Sequence, residues 1–152
     1  QTSASILFLI VSASVFGMMM TLSGIPGHVG AAAAEAGLGL SAYAVGYLAV
    51  LIVLGMVLDS TSILLIMVPL AVPAVTALGG DLIWFGIITI IGVEIGLLTP
   101  PLGLSVFAIK SSLDDPSISL NDIFIGAIPF TLMMLVVTLC LIAMPSLSLV
   151  LL

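Results

Sequence analysis

This sequence predicts an all-α integral membrane protein, on three observations. Its 152 residues are 62% hydrophobic and only 5% charged, whereas a soluble domain runs roughly 45–50% apolar and about a quarter charged. The apolar residues fall in runs close to the ~20 helical residues that cross ~30 Å of hydrocarbon. Most of these runs are interrupted by Pro, Gly and hydroxyl clusters rather than by charged loops.

The first run, 6–22, contains no charge and reads as a span. No basic n-region or small-residue cleavage site marks it as a signal peptide. It stops at Ser23-Gly24-Ile25-Pro26-Gly27, a cluster of helix breakers. Residues 28–40 are too short and too rich in Ala and Gly to span, so they read as an interfacial or packing helix with His28 at the interface. Runs 42–58 and 63–78 are separated only by Asp59-Ser60-Thr61-Ser62. That is too little polar chain to surface in water and return, so 42–78 is expected to be a re-entrant hairpin. Irregular backbone at such depth is tolerated only where protein or a water-lined cavity covers it. Pro69 and Pro73 lack an N–H and should kink the second limb.

Run 82–98 opens near Trp84, expected as an interfacial anchor, and ends at Thr99-Pro100-Pro101-Leu102-Gly103. At ~1.5 Å per residue, 83–98 rises roughly 24 Å and 104–109 about 9 Å, so 82–110 is one broken span. A loop over 110–122 holds Lys110, Asp114, Asp115, Pro116 and Asp122, and 123–144 is the last span. Lys110, the only Lys or Arg, places that loop on the cytoplasmic side by the positive-inside rule and the 78–81 turn outside. The chain starts at Gln1 in mid-pattern, and the expectation is the carboxyl-terminal part of a longer protein.

The composition also excludes functions. With a formal charge of −6 and one Lys or Arg, no surface can neutralise nucleic-acid phosphates. One cysteine, Cys140, rules out a disulfide framework, and one His with one Cys cannot supply four zinc ligands.

What chemistry remains lies at the two breaks. Pro100 and Pro101 should deprive the carbonyls of Gly96 and Leu97 of helix donors and push Thr99 and Pro100 out of α geometry. The freed carbonyls and the Thr99 hydroxyl are oxygen ligands suited to a hard cation. The half-helix after Gly103 presents free N–H groups that favour an anion. Discontinuous helices of this kind hold Na⁺ and anionic substrates in secondary transporters. The Asp59–Ser62 joint again offers only oxygens. Its carboxylate costs roughly 3 kcal/mol at membrane depth unless paired or hydrated, and it could equally be the N-cap of the following limb. Gly92 and Gly96 form a GxxxG packing face, Glu94 between them is a candidate proton or cation partner or equally a water-facing or paired acid, and Asp81 is expected as a helix cap.

Several stretches resemble the large membrane subunit, DctM-type, of the tripartite ATP-independent periplasmic (TRAP) transporters. Gly55-Met56-Val57-Leu58-Asp59-Ser60 with Ile66-Met67-Val68-Pro69 and Pro73 is similar to its second hairpin. Leu78-Gly79-Gly80-Asp81-Leu82-Ile83-Trp84-Phe85-Gly86 resembles its LGxDPxxFG turn, with Leu82 in place of proline. Glu94-Ile95-Gly96-Leu97-Leu98-Thr99-Pro100-Pro101-Leu102-Gly103 is the most specific match, and the likeness extends to Gly24-Ile25-Pro26, Gly126 with Pro129-Phe130, and Pro145-Ser146-Leu147.

The resemblance implies two inverted repeats, each with a hairpin and a broken helix, of which this chain is the second. It implies a multi-pass protein of the bacterial inner membrane that is not an enzyme and uses Na⁺ as coupling ion, without a cofactor. Uptake would be of C4-dicarboxylates, sialic acid or related carboxylates. The implied partners are a small DctQ-type membrane subunit, a periplasmic substrate-binding protein and the amino-terminal repeat. Gly55, Asp59, Ser60, Thr61, Thr99, Pro100 and Gly103 are the positions matching the family's Na⁺ site.

Two other readings compete. One is a different hairpin-type ion or anion transporter, the other a structural membrane subunit or fragment that transports nothing. An intramembrane aspartyl protease would need facing acids, yet Asp81 sits at a boundary and no GxGD is present.

Overall fold

The computed structural model describes residues 2–35, 37, 39–113, 115 and 117–150. They form α1 (Thr2–Ser23), α2 (Ile25–Glu35), α3 (Leu40–Gly55), α4 (Ser60–Ala77), α5 (Leu82–Leu98), α6 (Leu104–Ser112), α7 (Leu120–Ala143) and α8 (Ser146–Leu149), with no strand among them. Asp114 and Pro116, assigned above to the loop, lie outside the described residues.

The helix boundaries correct the sequence reading in four places. Of the 23–27 breaker cluster only Gly24 breaks, at φ 71°, a left-handed conformation that costs glycine nothing. Pro26 falls in the first turn of α2, where no intrahelical N–H is required. The expected 28–40 helix is Ile25–Glu35, and Leu40 begins α3 instead. The joint of the hairpin is 56–59 rather than 59–62, because Asp59 caps α4 and so recruits Ser60, Thr61 and Ser62 into its first turn. Finally, Lys110 belongs to α6 and the loop narrows to 113–119.

Sequence numbers rise together across the α3–α5 contact. Tyr47 packs against Phe85 with the rings tilted by 38° and their centroids 4.8 Å apart, and the side chains of Leu48 and Leu51 close over Gly92. At the far end Gly55 lies against Gly96. The two helices are therefore parallel. The turn at 56–59 reverses the chain, and α4 returns so that Leu40 and Val75 both close on Gly80. Asp81 caps α5 as expected, accepting from the N–H groups of Ile83 (2.8 Å) and Trp84 (3.0 Å). The expected GxxxG face of α5 is the one that meets α3.

Helix α7 runs back along α5. Trp84 is not an interfacial anchor: it is 1% exposed, and its indole N–H donates to the Leu141 carbonyl at 2.8 Å. That carbonyl would ordinarily accept from residue 145, which is proline and has no N–H. The core of Leu48, Leu51, Ile63, Met67, Phe85 and Val93 lies between α3, α4 and α5. Helix α7 leaves Phe130, Met133 and Val136 exposed, an apolar surface unlike that of a water-soluble helix. Among the described residues α4 and α7 are long and apolar enough to cross a membrane.

Between α6 and α7 the Lys110 ammonium donates to the carbonyls of Asp115 (3.1 Å) and Ile118 (2.6 Å). The Ser117 hydroxyl and N–H both donate to the Asp115 carboxylate and hold it below the usual carboxylate range. Ser119 and Asp122 cap α7 reciprocally.

Candidate functional site

The parallel pairing of α3 and α5 brings both backbone breaks to one end of the bundle. Gly55 and Gly96 are buried, and a Cβ added to either would stand 2.7 Å from the other's Cα. Residues 56–59 leave α3 on one side of this crossing, and 99–103 leave α5 on the other. Two helix C-termini, each carrying partial negative charge, thus lie at the same end of the bundle as the N-termini of α4 and α6.

At the first break the N–H groups of Met56 and Leu58 return to the carbonyls of Ile52 (3.1 Å) and Leu54 (2.8 Å). The carbonyls of Gly55, Met56 and Val57 accept no backbone hydrogen bond among the described residues. Asp59 is exposed, and its two carboxylate oxygens accept from the N–H (3.0 Å) and hydroxyl (2.6 Å) of Ser62. The N-cap role expected for Asp59 is therefore present. Ser60 is half-buried and Thr61 exposed in the same turn.

At the second break, the Gly96 carbonyl is not orphaned as expected. It accepts from the Thr99 N–H at 3.0 Å, a tightened last turn that replaces the donor Pro100 lacks. The carbonyls of Leu97 and Leu98 accept no backbone hydrogen bond among the described residues. The Thr99 hydroxyl donates to the Ile95 carbonyl at 2.6 Å, which fixes its rotamer and leaves its lone pairs available. Gly103 has φ 53°, and a Cβ there would meet the ring of Phe124 at 2.7 Å. Only glycine satisfies both constraints. Because Gly103 offers no side-chain cap, the first N–H groups of α6 stay uncapped, unlike those of α4.

Gly55, Asp59, Ser60, Thr61, Thr99, Pro100 and Gly103 thus all lie at one end of the α3–α5 pair. Among the described residues no hydrogen bond joins the two breaks. The arrangement offers carbonyl and hydroxyl oxygens on both sides of a glycine crossing, with uncapped N–H groups at α6. A cavity of about 250 Å³ opens beside Thr99 and Pro100 against Asn121, Phe124 and Thr131 of α7.

Sequence reasoning missed three supports of this geometry. Tyr47 and Thr89, both buried, are 3.3 Å apart in the α3–α5 interface. The single Thr89 proton goes to the Phe85 carbonyl at 2.8 Å, so Tyr47 is the donor between them. Phe124 on Gly103 had no sequence signal. The Trp84–Leu141 bond had one, since a proline four residues after Leu141 announces a carbonyl in need of a donor.

The protein-family profile described as "Tripartite ATP-independent periplasmic transporter, DctM component" matches residues 1–147. The C4-dicarboxylate TRAP transporter large permease protein DctM of Pseudomonas aeruginosa is 31% identical over 146 residues, 96% of this chain and 34% of that protein. The 2,3-diketo-L-gulonate TRAP transporter large permease protein YiaN of Escherichia coli is 29% identical over 134 residues, 88% of this chain and 31% of that protein. The sialic acid TRAP transporter large permease protein SiaM of Vibrio cholerae is 32% identical over 101 residues, 66% of this chain and 23% of that protein. The chain spans between 23% and 34% of the length of these relatives. No solved structure matches it.

Proposed function

This chain belongs to the DctM component family of the tripartite ATP-independent periplasmic transporters, and on that premise we propose that it forms part of a Na⁺-coupled permease for organic anions. The family consists of transporter components, not enzymes. The observation that carries the coupling is the glycine crossing of Gly55 on Gly96, which sets two carbonyl-lined breaks at the same end of parallel helices. Na⁺ is held between them by backbone oxygens of 55–57 and 97–98, with the Thr99 hydroxyl and oxygens of Asp59, Ser60 and Thr61 completing the set. A hard cation takes such ligands without any nitrogen or sulfur donor.

The uncapped N-terminus of α6 faces the same end and favours negative charge. That fits the relatives, whose named substrates are a C4-dicarboxylate, a sialic acid and a diketogulonate, all carboxylates. The hairpin of α3 and α4 is re-entrant, and α5 with α6 is one interrupted crossing of a bacterial inner membrane. The rest of the site comes from an amino-terminal inverted repeat. A substrate-binding protein delivers the anion, and a small membrane subunit packs alongside.

The test is uptake by the complete permease with its partners in proteoliposomes, offered a C4-dicarboxylate, a sialic acid and 2,3-diketogulonate in turn. At least one should enter only under an inward Na⁺ gradient. Uptake that is equal when K⁺ replaces Na⁺ rejects the coupling.

A further inference from the structure

We propose that Glu94 faces a water-filled path inside the membrane, from a face of α5 that the described residues leave exposed. Helix α5 buries Trp84 against α7, Phe85, Thr89, Gly92 and Gly96 against α3, and Ile88, Val93 and Ile95 as well. The exposed residues of α5 are Leu82, Ile83, Ile90 and Glu94; Ile83, Ile90 and Glu94 share a stripe with half-buried Ile87, and Ile90 also borders a cavity against Leu64, Val68 and Val72 of α4. Beyond the first turns of α3, α4, α5 and α7, Glu94 is the only charged side chain. Its depth follows from the Trp84–Leu141 bond. Ten residues along α5, and about as many back along antiparallel α7, Glu94 lies level with Thr131 to Met133, near the middle of a 24-residue helix.

At that depth lipid disfavours a charged side chain by roughly a hundredfold or more, and such residues face a bundle interior or a water-filled cavity. Glu94 makes no hydrogen bond or ion pair among the described residues. Lys110, the sole Lys or Arg, is engaged by the Asp115 and Ile118 carbonyls beyond the break. Pairing with a basic group from elsewhere would require desolvating a second charge. Water requires none. The relatives, about three times longer than this chain, have protein enough to wall such a path opposite α5.

This inference rests on α5 being membrane-embedded, as proposed above, but not on which ion is coupled. The experiment uses the complete permease in membranes with its other cysteines replaced, including Cys140→Ser. Glu94→Cys, Ile90→Cys and Met133→Cys are each exposed to an anionic methanethiosulfonate added to both sides of the vesicles. Only a thiolate, which forms in water and not in lipid, attacks the reagent and expels its sulfinate, so Glu94→Cys should react about tenfold or more faster than Met133→Cys. Rates for Glu94→Cys no greater than for Met133→Cys overturn the proposal. Should Glu94→Cys fail to insert, Ile90→Cys, one turn earlier on the same face, decides by the same comparison. Na⁺-independent uptake would reject the ion coupling while leaving this labelling pattern unchanged.

Discussion

The backbones of Gly55 and Gly96 touch so closely that a single methyl group on either would lie 2.7 Å from the other's Cα. Backbone cannot rotate away, so Gly96→Ala has to spread α3 from α5 and separate the two breaks. Overpacking of this kind costs about 1–3 kcal/mol, and alanine's better helix propensity recovers at most about 1 kcal/mol. Gly92→Ala is the contrast, because its methyl meets the Cδ1 atoms of Leu48 and Leu51, side-chain ends that can turn aside. Thermal unfolding in detergent and uptake should both fall for Gly96→Ala and far less for Gly92→Ala. Equal behaviour of the two variants would mean that the crossing does not hold the breaks together.

The Trp84 indole and the Leu141 carbonyl make a second, separable prediction. Trp84→Phe keeps most of the buried ring but leaves the carbonyl without a donor, a loss of about 1–3 kcal/mol. Pro145→Ala restores the N–H that an uninterrupted helix would supply at that position. In a double-mutant cycle, Trp84→Phe should therefore be less damaging in the Pro145→Ala background. Strict additivity would show that Pro145 is not the reason Trp84 is there.

Much of this fold could be read in the sequence because its punctuation is covalent. Prolines, glycines and the Asp59 and Asp81 caps end helices by removing donors, relaxing sterics or supplying acceptors, and these effects are local. The hairpin, the broken helix and the last helix followed from them. The misreadings were also local in cause. Gly24 alone suffices to break α1 from α2, and Pro26 is harmless in a first turn. What could not be read was which faces meet. Helices α3 and α5 are apolar nearly all round, so no polar stripe marks an outer side. Their parallel register, the Tyr47–Thr89 pair and Phe124 on Gly103 exist only in three dimensions. The breaks themselves pointed to the Thr99 hydroxyl and the Asp59–Ser62 oxygens, the full set of seven proposed ion-site positions came from the family resemblance, and only the glycine crossing showed that they share one end.

The topology is the third prediction. Lys110 should hold its loop on the cytoplasmic side, and the crossing proposed for α5 with α6 should put the turn at 78–81 on the other side. Ser112→Cys and Ala77→Cys, both at exposed positions, are suitable reporters in a Cys140→Ser background. Gly80 is not, because a side chain there meets Val75 and Leu40. An impermeant thiol reagent should reach position 77 from the periplasmic side and position 112 only from the cytoplasmic side. The reverse pattern would invert the assignment, and labelling of both from one side would remove the crossing between them.

The Thr99 hydroxyl is the most direct test of the ion site, because two substitutions divide its roles. Thr99→Ser keeps the oxygen and the donation to the Ile95 carbonyl, while Thr99→Val keeps the shape and loses both. In the complete permease, Thr99→Val should raise the Na⁺ concentration for half-maximal uptake. Losing one polar ligand worth about 1–2 kcal/mol gives a shift of several-fold to about thirtyfold. Thr99→Ser should stay near the parent. Asp59 separates capping from coordination in the same way. Asp59→Asn retains an oxygen to accept from the Ser62 N–H but removes the charge. If the carboxylate touches the ion, its shift should match or exceed that of Thr99→Val, and if it only caps α4 the shift should be small while stability falls by about 1 kcal/mol or less. Unchanged Na⁺ dependence in Thr99→Val, at normal expression, would leave the second break as a structural interruption and move the cation elsewhere in the permease.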